Sequence, residues 1–124
     1  MKSSPLVSII MNCRNGDRFL RQAIDSVYDQ NYQNWELIFW DNVSSDSSAL
    51  IAQSYDNRTK YFLAENKTSL GEARNLALER ANGKYVCFLD CDDLYFPDKL
   101  EKQVKIMEEN NYALSYGSAL IIDE

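Results

Sequence analysis

Short apolar runs alternate with amphipathic stretches along most of the chain. Runs rich in β-branched and aromatic residues, bounded by turn residues, predict strands at 6–11, 35–40, 60–63, 85–89 and 112–122. Apolar residues recur at helical spacing in four further stretches and predict helices at 17–28, 49–55, 69–81 and 97–109. This alternation predicts an α/β fold, a Rossmann-like three-layer sandwich with a mostly parallel central sheet and helices on both faces.

Two of the predicted helices begin with recognisable signals. Asp17 is expected to be the N-cap of the first helix, and Ser69 followed by Glu72 has the spacing of a capping box. Arg74 lies near the start of that later helix and off its apolar stripe, so its guanidinium could reach a phosphate or a base. The alternative is a solvated arginine paired with Glu72 or Glu79 on the same helix.

Three carboxylates follow the fourth strand within four positions: Asp90, Asp92 and Asp93. The apolar run before them predicts a strand that is buried on both faces and has these acids at its carboxyl end. Close carboxylates repel one another and raise their own pKa values unless a cation lies between them. Mg²⁺ and Mn²⁺ prefer oxygen ligands, so a divalent metal site is the first hypothesis. The alternative is that the acids cap a helix that begins at Pro97.

Polar residues also follow the first and second strands, at 12–15 and 41–44. In open α/β sheets, ligands bind beyond the carboxyl ends of the strands, where the strand order reverses. We expect the first and fourth strands to meet at the centre of the sheet, which would bring both loops and the acids to one crevice. Such a crevice is a ligand site by its geometry.

Composition and charge narrow the choice of ligand. The formal charge of -6 and the pI near 4.6 argue against nucleic acid or an anionic membrane surface as a principal partner. The chain has no histidine, which excludes Ser-His-Asp triads and imidazole zinc ligands within it. The loop at 12–16 lacks the glycine pattern of a dinucleotide-binding turn, and no P-loop occurs. A phosphorylated ligand would therefore need a metal ion and arginine to hold it.

The cysteines are three in number, Cys13, Cys87 and Cys91, and show no Cys-x-x-Cys spacing. This pattern argues against a disulfide framework or a thiolate metal site and favours a reducing compartment. No signal peptide and no run near the ~20 apolar residues of a membrane span is present. We expect a cytoplasmic domain, with any association with the inner face of the membrane made by segments outside this sequence.

Six segments of the chain resemble, in this order, the nucleotide-binding half of a family 2 glycosyltransferase with the GT-A fold. They are 7–16, 23–27, 30–38, 41–46, 71–75 and 88–93. The resemblance covers nearly the whole chain. It implies transfer of a sugar, with inversion, from a nucleotide-diphosphate donor to a glycan or lipid-linked acceptor in polysaccharide or cell-surface glycan synthesis. It also implies that Mn²⁺ or Mg²⁺ bridges the donor diphosphate to the Asp-x-Asp motif.

The resemblance assigns roles to individual residues by their position. Asn12 and Arg14 would border the base, Asp41 and Asn42 would contact the base or the ribose, and Arg74 would approach the base or the diphosphate. The nucleotide-sugar-binding residues are thus Asn12, Arg14, Asp41, Asn42, Arg74 and Asp90. The metal ligands are Asp92 and Asp93, with Asp92 the first choice.

The chain also departs from the family pattern. Asn12, Cys13 and Arg14 stand where the family commonly has Pro-Thr-Tyr, so an aromatic stack on the base is lost and Arg14 is its substitute. Val43 stands where the family has glycine. Family members continue into an acceptor-binding half that supplies the general base, so we expect residues 1–124 to be a single donor-binding domain and the base to lie beyond Glu124.

Two alternatives stay open. A haloacid-dehalogenase-type phosphohydrolase also places Asp-x-Asp after an apolar strand, but Leu94 stands where its motif has Thr or Val, and that family carries the motif on its first strand. The second alternative is a module that binds a nucleotide sugar without catalysis. Measurement of donor hydrolysis would separate a binding module from an enzyme.

Overall fold

The computed structural model describes residues 4–110 and shows a four-stranded parallel sheet. The strands are β1 (Val7–Cys13), β2 (Trp35–Asp41), β3 (Thr59–Leu63) and β4 (Tyr85–Phe88). The helices are α1 (Asp17–Tyr28), α2 (Ser48–Ala52), α3 (Leu70–Leu78) and α4 (Lys99–Asn110). The predicted α/β class is confirmed, and the strand predicted at 112–122 lies outside the described residues.

The sheet separates two apolar cores, as its alternating side chains require. In β1, Ile9 and Met11 contribute to one core and Ile10 to the other, because successive side chains of a strand point to opposite faces. Helices α1, α2 and α4 supply the first core, and α3 supplies Ala73 and Ala77 to the second. The predicted three-layer arrangement with helices on both faces is therefore confirmed.

The strand order is β3-β2-β1-β4, with every neighbouring pair parallel. The chain moves outward from β1 through β2 to β3 and then returns to place β4 on the other side of β1. The predicted meeting of the first and fourth strands is confirmed, and β3 lies at the edge of the sheet. The order reverses between β1 and β4, which is where open α/β sheets bind ligands.

The prediction that the fourth strand is buried on both faces is wrong for the described part of the chain. Val86 and Phe88 are 40% and 45% exposed, whereas Tyr85 and Cys87 pack against the first core. The reason is position: β4 is an edge strand of the described sheet, and α3 packs over β1 and β2 instead. A run of apolar letters does not reveal whether a helix covers both faces of a strand.

One of the three helix starts predicted from the sequence agrees with the structure, and two differ from it. The Ser69 hydroxyl accepts a hydrogen bond from the Glu72 N–H (3.2 Å), as a capping box requires. Gly16, not Asp17, is the N-cap of α1, and the Asp17 carboxylate instead accepts from the Ser47 N–H (3.1 Å). Helix α4 begins at Lys99, so the acids at 90–93 do not cap it.

A buried carboxylate joins the strands at the end of the sheet opposite the polar loops. Glu36 is 2% exposed and accepts hydrogen bonds from Ser8 Oγ (2.5 Å), Lys60 Nζ (2.7 Å) and the Asn82 N–H (2.7 Å). Burial acts to raise the pKa of Glu36, but these hydrogen bonds outweigh it and hold the pKa below its ordinary value. Gly83 is needed beside this network, since a Cβ there would lie 2.7 Å from the backbone nitrogen of Ser8.

Candidate functional site

The loops that follow β1 and β2 are tied together by hydrogen bonds. The Asn42 N–H donates to the carbonyl oxygen of Cys13 (2.8 Å), which continues the pairing of the two strands by one residue. Beyond it, the Asn15 N–H donates to Ser44 Oγ (2.9 Å), and Asn15 Oδ1 accepts from the Ser45 N–H (2.7 Å). The two loops therefore form one surface at the carboxyl end of the sheet.

Two residues of this surface have left-handed backbone conformations. Asn15 has a φ of 56° and Val43 a φ of 61°. Asparagine tolerates this region because its short polar side chain can bond locally, as Asn15 does here, but a β-branched residue is strained in it. Strain of this kind is concentrated at binding and active sites.

The acidic loop after β4 packs against the end of β1. A Cβ added to Gly16 would lie 2.5 Å from Cys91 Sγ and 3.0 Å from Cys13 Sγ, so both sulfur atoms pack onto this glycine and a larger residue would displace them. Cys13 Sγ donates a hydrogen bond to Ser48 Oγ (3.6 Å), and the neighbouring Cys91 thiol is the main cause that lowers the pKa of Cys13 below its ordinary value. The convergence of the three loops is therefore confirmed.

Among the described residues, Asp90, Asp92 and Asp93 form a cluster that could bind a metal ion. One carboxylate oxygen from each of Asp90, Asp92 and Asp93 lies within 4.8 Å of the others, and all three side chains are exposed. Burial raises the pKa of Asp93, and the negative charges of Asp92 and Asp90 add to the effect. Oxygen ligands of one Mg²⁺ or Mn²⁺ lie roughly 3 to 4 Å apart, which modest side-chain rotation would reach. The donor set therefore fits a hard divalent cation.

Arg74 lies beside this cluster. Its Nη2 is 3.6 Å from Asp90 Oδ1, and its guanidinium lies 5.6 Å from the centre of the Phe88 ring. Both members of the pair are open to solvent, at 41% and 61% side-chain exposure, so the contact is weak and an anionic ligand could replace it. The arginine pairs with Asp90 and not with the helix neighbours Glu72 and Glu79 that the alternative required.

Asp41 and Asn42 are buried under the loop surface. The Asp41 carboxylate accepts from the Ser44 N–H (2.8 Å) and from the hydroxyl of Tyr61 (2.5 Å). The Asn42 side chain donates to the carbonyl oxygen of Thr68 (2.9 Å) and accepts from its N–H (3.0 Å). Both side chains therefore hold the loops in place, and direct contact of Asp41 with a base or ribose would require the Ser44 loop to move.

Asn12 and Arg14 lie at the end of β1 in different environments. Asn12 is partly buried, and its Nδ2 has no hydrogen-bond partner among residues 4–110. Arg14 is exposed and forms no ion pair with any described residue. The crevice thus combines a carboxylate cluster with the guanidinium of Arg74, which is a combination suited to a metal-bound phosphate ligand.

Tyr61 and Thr68 are positioning residues that sequence reasoning missed. Tyr61 lies on β3 and Thr68 in the loop before α3, and each supports a predicted site residue from another part of the chain. No local pattern distinguishes them. The strand register that aligns Tyr61 with Phe39, two residues before Asp41, is a property of the fold.

Comparisons with known proteins agree on the family that this chain resembles. A sequence model of the family described as Glycosyl transferase family 2 matches residues 8–124. An uncharacterized glycosyltransferase of Haemophilus influenzae is 41% identical over 122 residues, which cover 96% of this chain and 49% of that protein. The UDP-Glc:alpha-D-GlcNAc-diphosphoundecaprenol beta-1,3-glucosyltransferase WfgD of Escherichia coli is 40% identical over 119 residues, 95% of this chain and 47% of that protein. The chain spans about half the length of these curated relatives.

A solved structure shows the same architecture. S. aureus TarS 1-349 in complex with UDP-GlcNAc matches with a TM-score of 0.80 and 25% sequence identity, over 85% of this chain and 32% of that chain. The sheet and helices described above are therefore those of a known α/β fold.

Proposed function

Since the chain belongs to glycosyl transferase family 2, we propose that it is the donor-binding part of an enzyme that transfers a sugar from a nucleoside-diphosphate sugar to an acceptor hydroxyl. The observation that carries this proposal is the meeting of Asp90, Asp92 and Asp93 with Arg74 at the point where the strand order reverses. The TarS structure with UDP-GlcNAc supports a nucleotide-sugar ligand for this fold. The family match also favours this proposal over a phosphohydrolase.

Asp92 and Asp93 would hold Mn²⁺ or Mg²⁺, and Asp90 would bind the ribose. When bound, the ion neutralises the negative charge of the nucleoside diphosphate that leaves the sugar. Arg74 lies close enough to Asp90 to reach the same diphosphate, where its guanidinium can donate two parallel hydrogen bonds to phosphate oxygens. These two sources of positive charge are needed because the chain carries a formal charge of -6.

The loops after β1 and β2 would form the nucleoside end of the site. Asn12 and Arg14 border the base, and the unpaired Asn12 Nδ2 is a donor available to a ligand oxygen. Asp41 and Asn42 set the position of this surface through Ser44 and Thr68, and their contact with the base or ribose is proposed to follow a small movement of these loops.

We place the acceptor-binding site and the general base in the part of the relatives that this chain does not cover. The name of the relative WfgD gives a sugar attached to diphosphoundecaprenol as its acceptor, which supports a lipid-linked glycan acceptor here. We place the reaction in cell-surface polysaccharide synthesis, with inversion at the sugar carbon and with the base that deprotonates the acceptor hydroxyl in the acceptor-binding half.

Titration calorimetry of UDP, GDP, CMP and dTDP sugars with and without Mn²⁺ tests the donor site. The Asp92→Asn variant is expected to lose the metal-dependent part of the affinity, at least about tenfold, because an amide is a poorer ligand than a carboxylate for a hard cation. Asp98→Asn is the matched control, since Asp98 pairs with Lys102 and is not a member of the acid cluster. Its affinity should equal that of the parent chain.

Unchanged metal-dependent affinity in Asp92→Asn would refute the assignment of this ligand. Donor hydrolysis, followed by release of the nucleoside diphosphate, then distinguishes an active site from a binding module. Turnover would exclude a pure binding module, whereas metal-dependent binding without turnover is also expected of a donor-binding part that lacks its general base.

A further inference from the structure

Two thiols that the proposed reaction does not use lie together at the crevice. Cys13 ends β1 and is 2% exposed, and Cys91 stands between the acids Asp90 and Asp92 and is partly exposed. Both sulfur atoms would lie within 3.0 Å of a Cβ on Gly16, so the two thiols pack against the same glycine. The absence of a side chain at Gly16 is what allows this contact.

We propose that Cys13 and Cys91 form an oxidation site, in which a peroxide converts the two thiols into a disulfide that distorts the acid cluster. Disulfide formation does not depend on the proposed function, whereas its effect on metal binding does. The pair differs from a structural disulfide, because both cysteines are free in the structure and the fold forms without the bond.

The reaction balances with hydrogen peroxide as the oxidant. One thiol breaks the O–O bond and becomes a sulfenic acid, releasing one water. The second thiol attacks the sulfur of the sulfenic acid, forms the S–S bond and releases the oxygen as a second water. The two sulfur atoms lose two electrons to the peroxide, and the two thiol protons leave in the water. Proximity of the second thiol favours the disulfide over further oxidation.

When the disulfide forms, the loop at 90–93 is expected to move, because β1 is fixed by its place in the sheet. At Cys13 the strand is paired with Asp41 of β2, whereas its pairing with β4 ends at Ile10. A disulfide holds its sulfur atoms about 2.05 Å apart, closer than two unbonded sulfur atoms can approach, so Cys91 is drawn towards β1. Its neighbours Asp90 and Asp92 are exposed and move with it. The affinity for a hard cation depends on how its ligand oxygens are placed, so displacement of Asp92 is expected to weaken metal binding.

The test uses the 124-residue chain with Cys87→Ala, which leaves two thiols. This substitution is needed because trypsin cleaves after Lys84 and Lys99, so Cys87 and Cys91 would otherwise share one peptide. After exposure to hydrogen peroxide, mass spectrometry is expected to find peptide 3–14 joined to peptide 85–99, with release by dithiothreitol. Separate oxidation of each thiol, or two free thiols under conditions that oxidise small dithiols, would overturn the proposal.

Binding of Mn²⁺ alone, measured by the paramagnetic resonance signal of the free ion, tests the effect on the site. We expect the oxidised chain to bind Mn²⁺ at least about tenfold more weakly than the reduced chain, with recovery after reduction. Cys91→Ser is the control for methionine oxidation by peroxide, and its Mn²⁺ affinity should not respond. Equal affinity of the cross-linked and reduced chains would refute the coupling. Absence of Mn²⁺ binding by the reduced chain would refute the proposed metal site, while the cross-link would still support the thiol pair.

Discussion

Val43 has a backbone conformation that is unfavourable for a β-branched residue. A β-branched residue with a φ of 61° is rare. Val43 is 39% exposed, so the burial of its side chain does little to offset the cost of this conformation. The conformation is imposed by its neighbours: Asn42 is held by Thr68, and the Ser44 N–H is held by Asp41. The conformation of the loops after β1 and β2 is therefore maintained at a cost in local stability.

Replacement of Val43 by glycine should raise the free energy of unfolding. Relief of strain of about 1–3 kcal/mol is partly offset by the greater freedom of glycine in the unfolded chain, about 0.5–1 kcal/mol, which leaves a net gain of about 1 kcal/mol. Urea unfolding measures the difference. Asn15→Gly is the matched control, because Asn15 has the same backbone conformation but supplies an acceptor to the Ser45 N–H, so this variant should lose stability. A loss in Val43→Gly equal to that of the control would show that the valine is not strained.

Single residues differ in how far the sequence reveals them. Asp90, Asp92 and Asp93 are adjacent in the chain, so their cluster could be predicted from spacing and from electrostatic repulsion. The burial of Asp41 could not, because its partner Tyr61 comes from another strand. The contact of Cys91 with Cys13 was missed for the same reason: it depends on the packing of two loops that are far apart in the chain.

At the scale of the elements, the spacing of apolar residues predicted which helices and strands form. Tertiary packing determined where each element ends and which of its side chains are exposed. Leu100, Val104 and Met107 face inward on α4 as their spacing predicts. Phe19 and Leu50 lie at helical spacing with the apolar residues of their helices, but they are 43% and 74% exposed. The burial of a strand on its second face depends on which helix lies above it, and this information is absent from the strand itself.

Glu36 joins three strands and should make stability depend on pH. Its pKa is lower in the folded chain than in the unfolded chain, so the unfolded chain binds the proton more readily, and stability falls as the pH drops below the unfolded pKa. At neutral pH, Glu36→Gln should cost about 1–3 kcal/mol, because an amide group would face the donors Lys60 and Asn82. Urea unfolding at neutral pH and at about pH 3.5 should show a difference that narrows as Glu36 of the parent chain is protonated.

The exposed Glu65 provides the control for this prediction. Glu65→Gln removes the same charge from a loop residue and should leave the free energy of unfolding within about 0.5 kcal/mol of the parent value at both pH values. A Glu36→Gln difference that stays constant over the pH range would show that the carboxylate is not stabilised by its charge.

At the scale of the whole molecule, the order β3-β2-β1-β4 turns separate polar loops into one crevice. The alternation of strands and helices could be predicted from the sequence, and the reversal beside β1 followed from the general behaviour of such sheets. No helix in the described residues is long and apolar enough to cross a membrane. The molecule is strongly acidic, so an anionic nucleotide approaches a repulsive surface unless a metal ion is already in place.

This charge balance predicts that metal and nucleotide stabilise the chain cooperatively. Each ligand that binds the folded state raises stability, by about 2.7 kcal/mol at a concentration of 100 times its dissociation constant. If the acids hold Mn²⁺ against the diphosphate, each ligand increases the affinity of the other by the same factor. Thermal unfolding with Mn²⁺ and UDP or GDP together should therefore give a larger rise in Tm than the two separate rises added. Asp92→Asn should abolish the surplus and Asp98→Asn should keep it, whereas simple addition in the parent chain would mean that the nucleotide binds away from the acids.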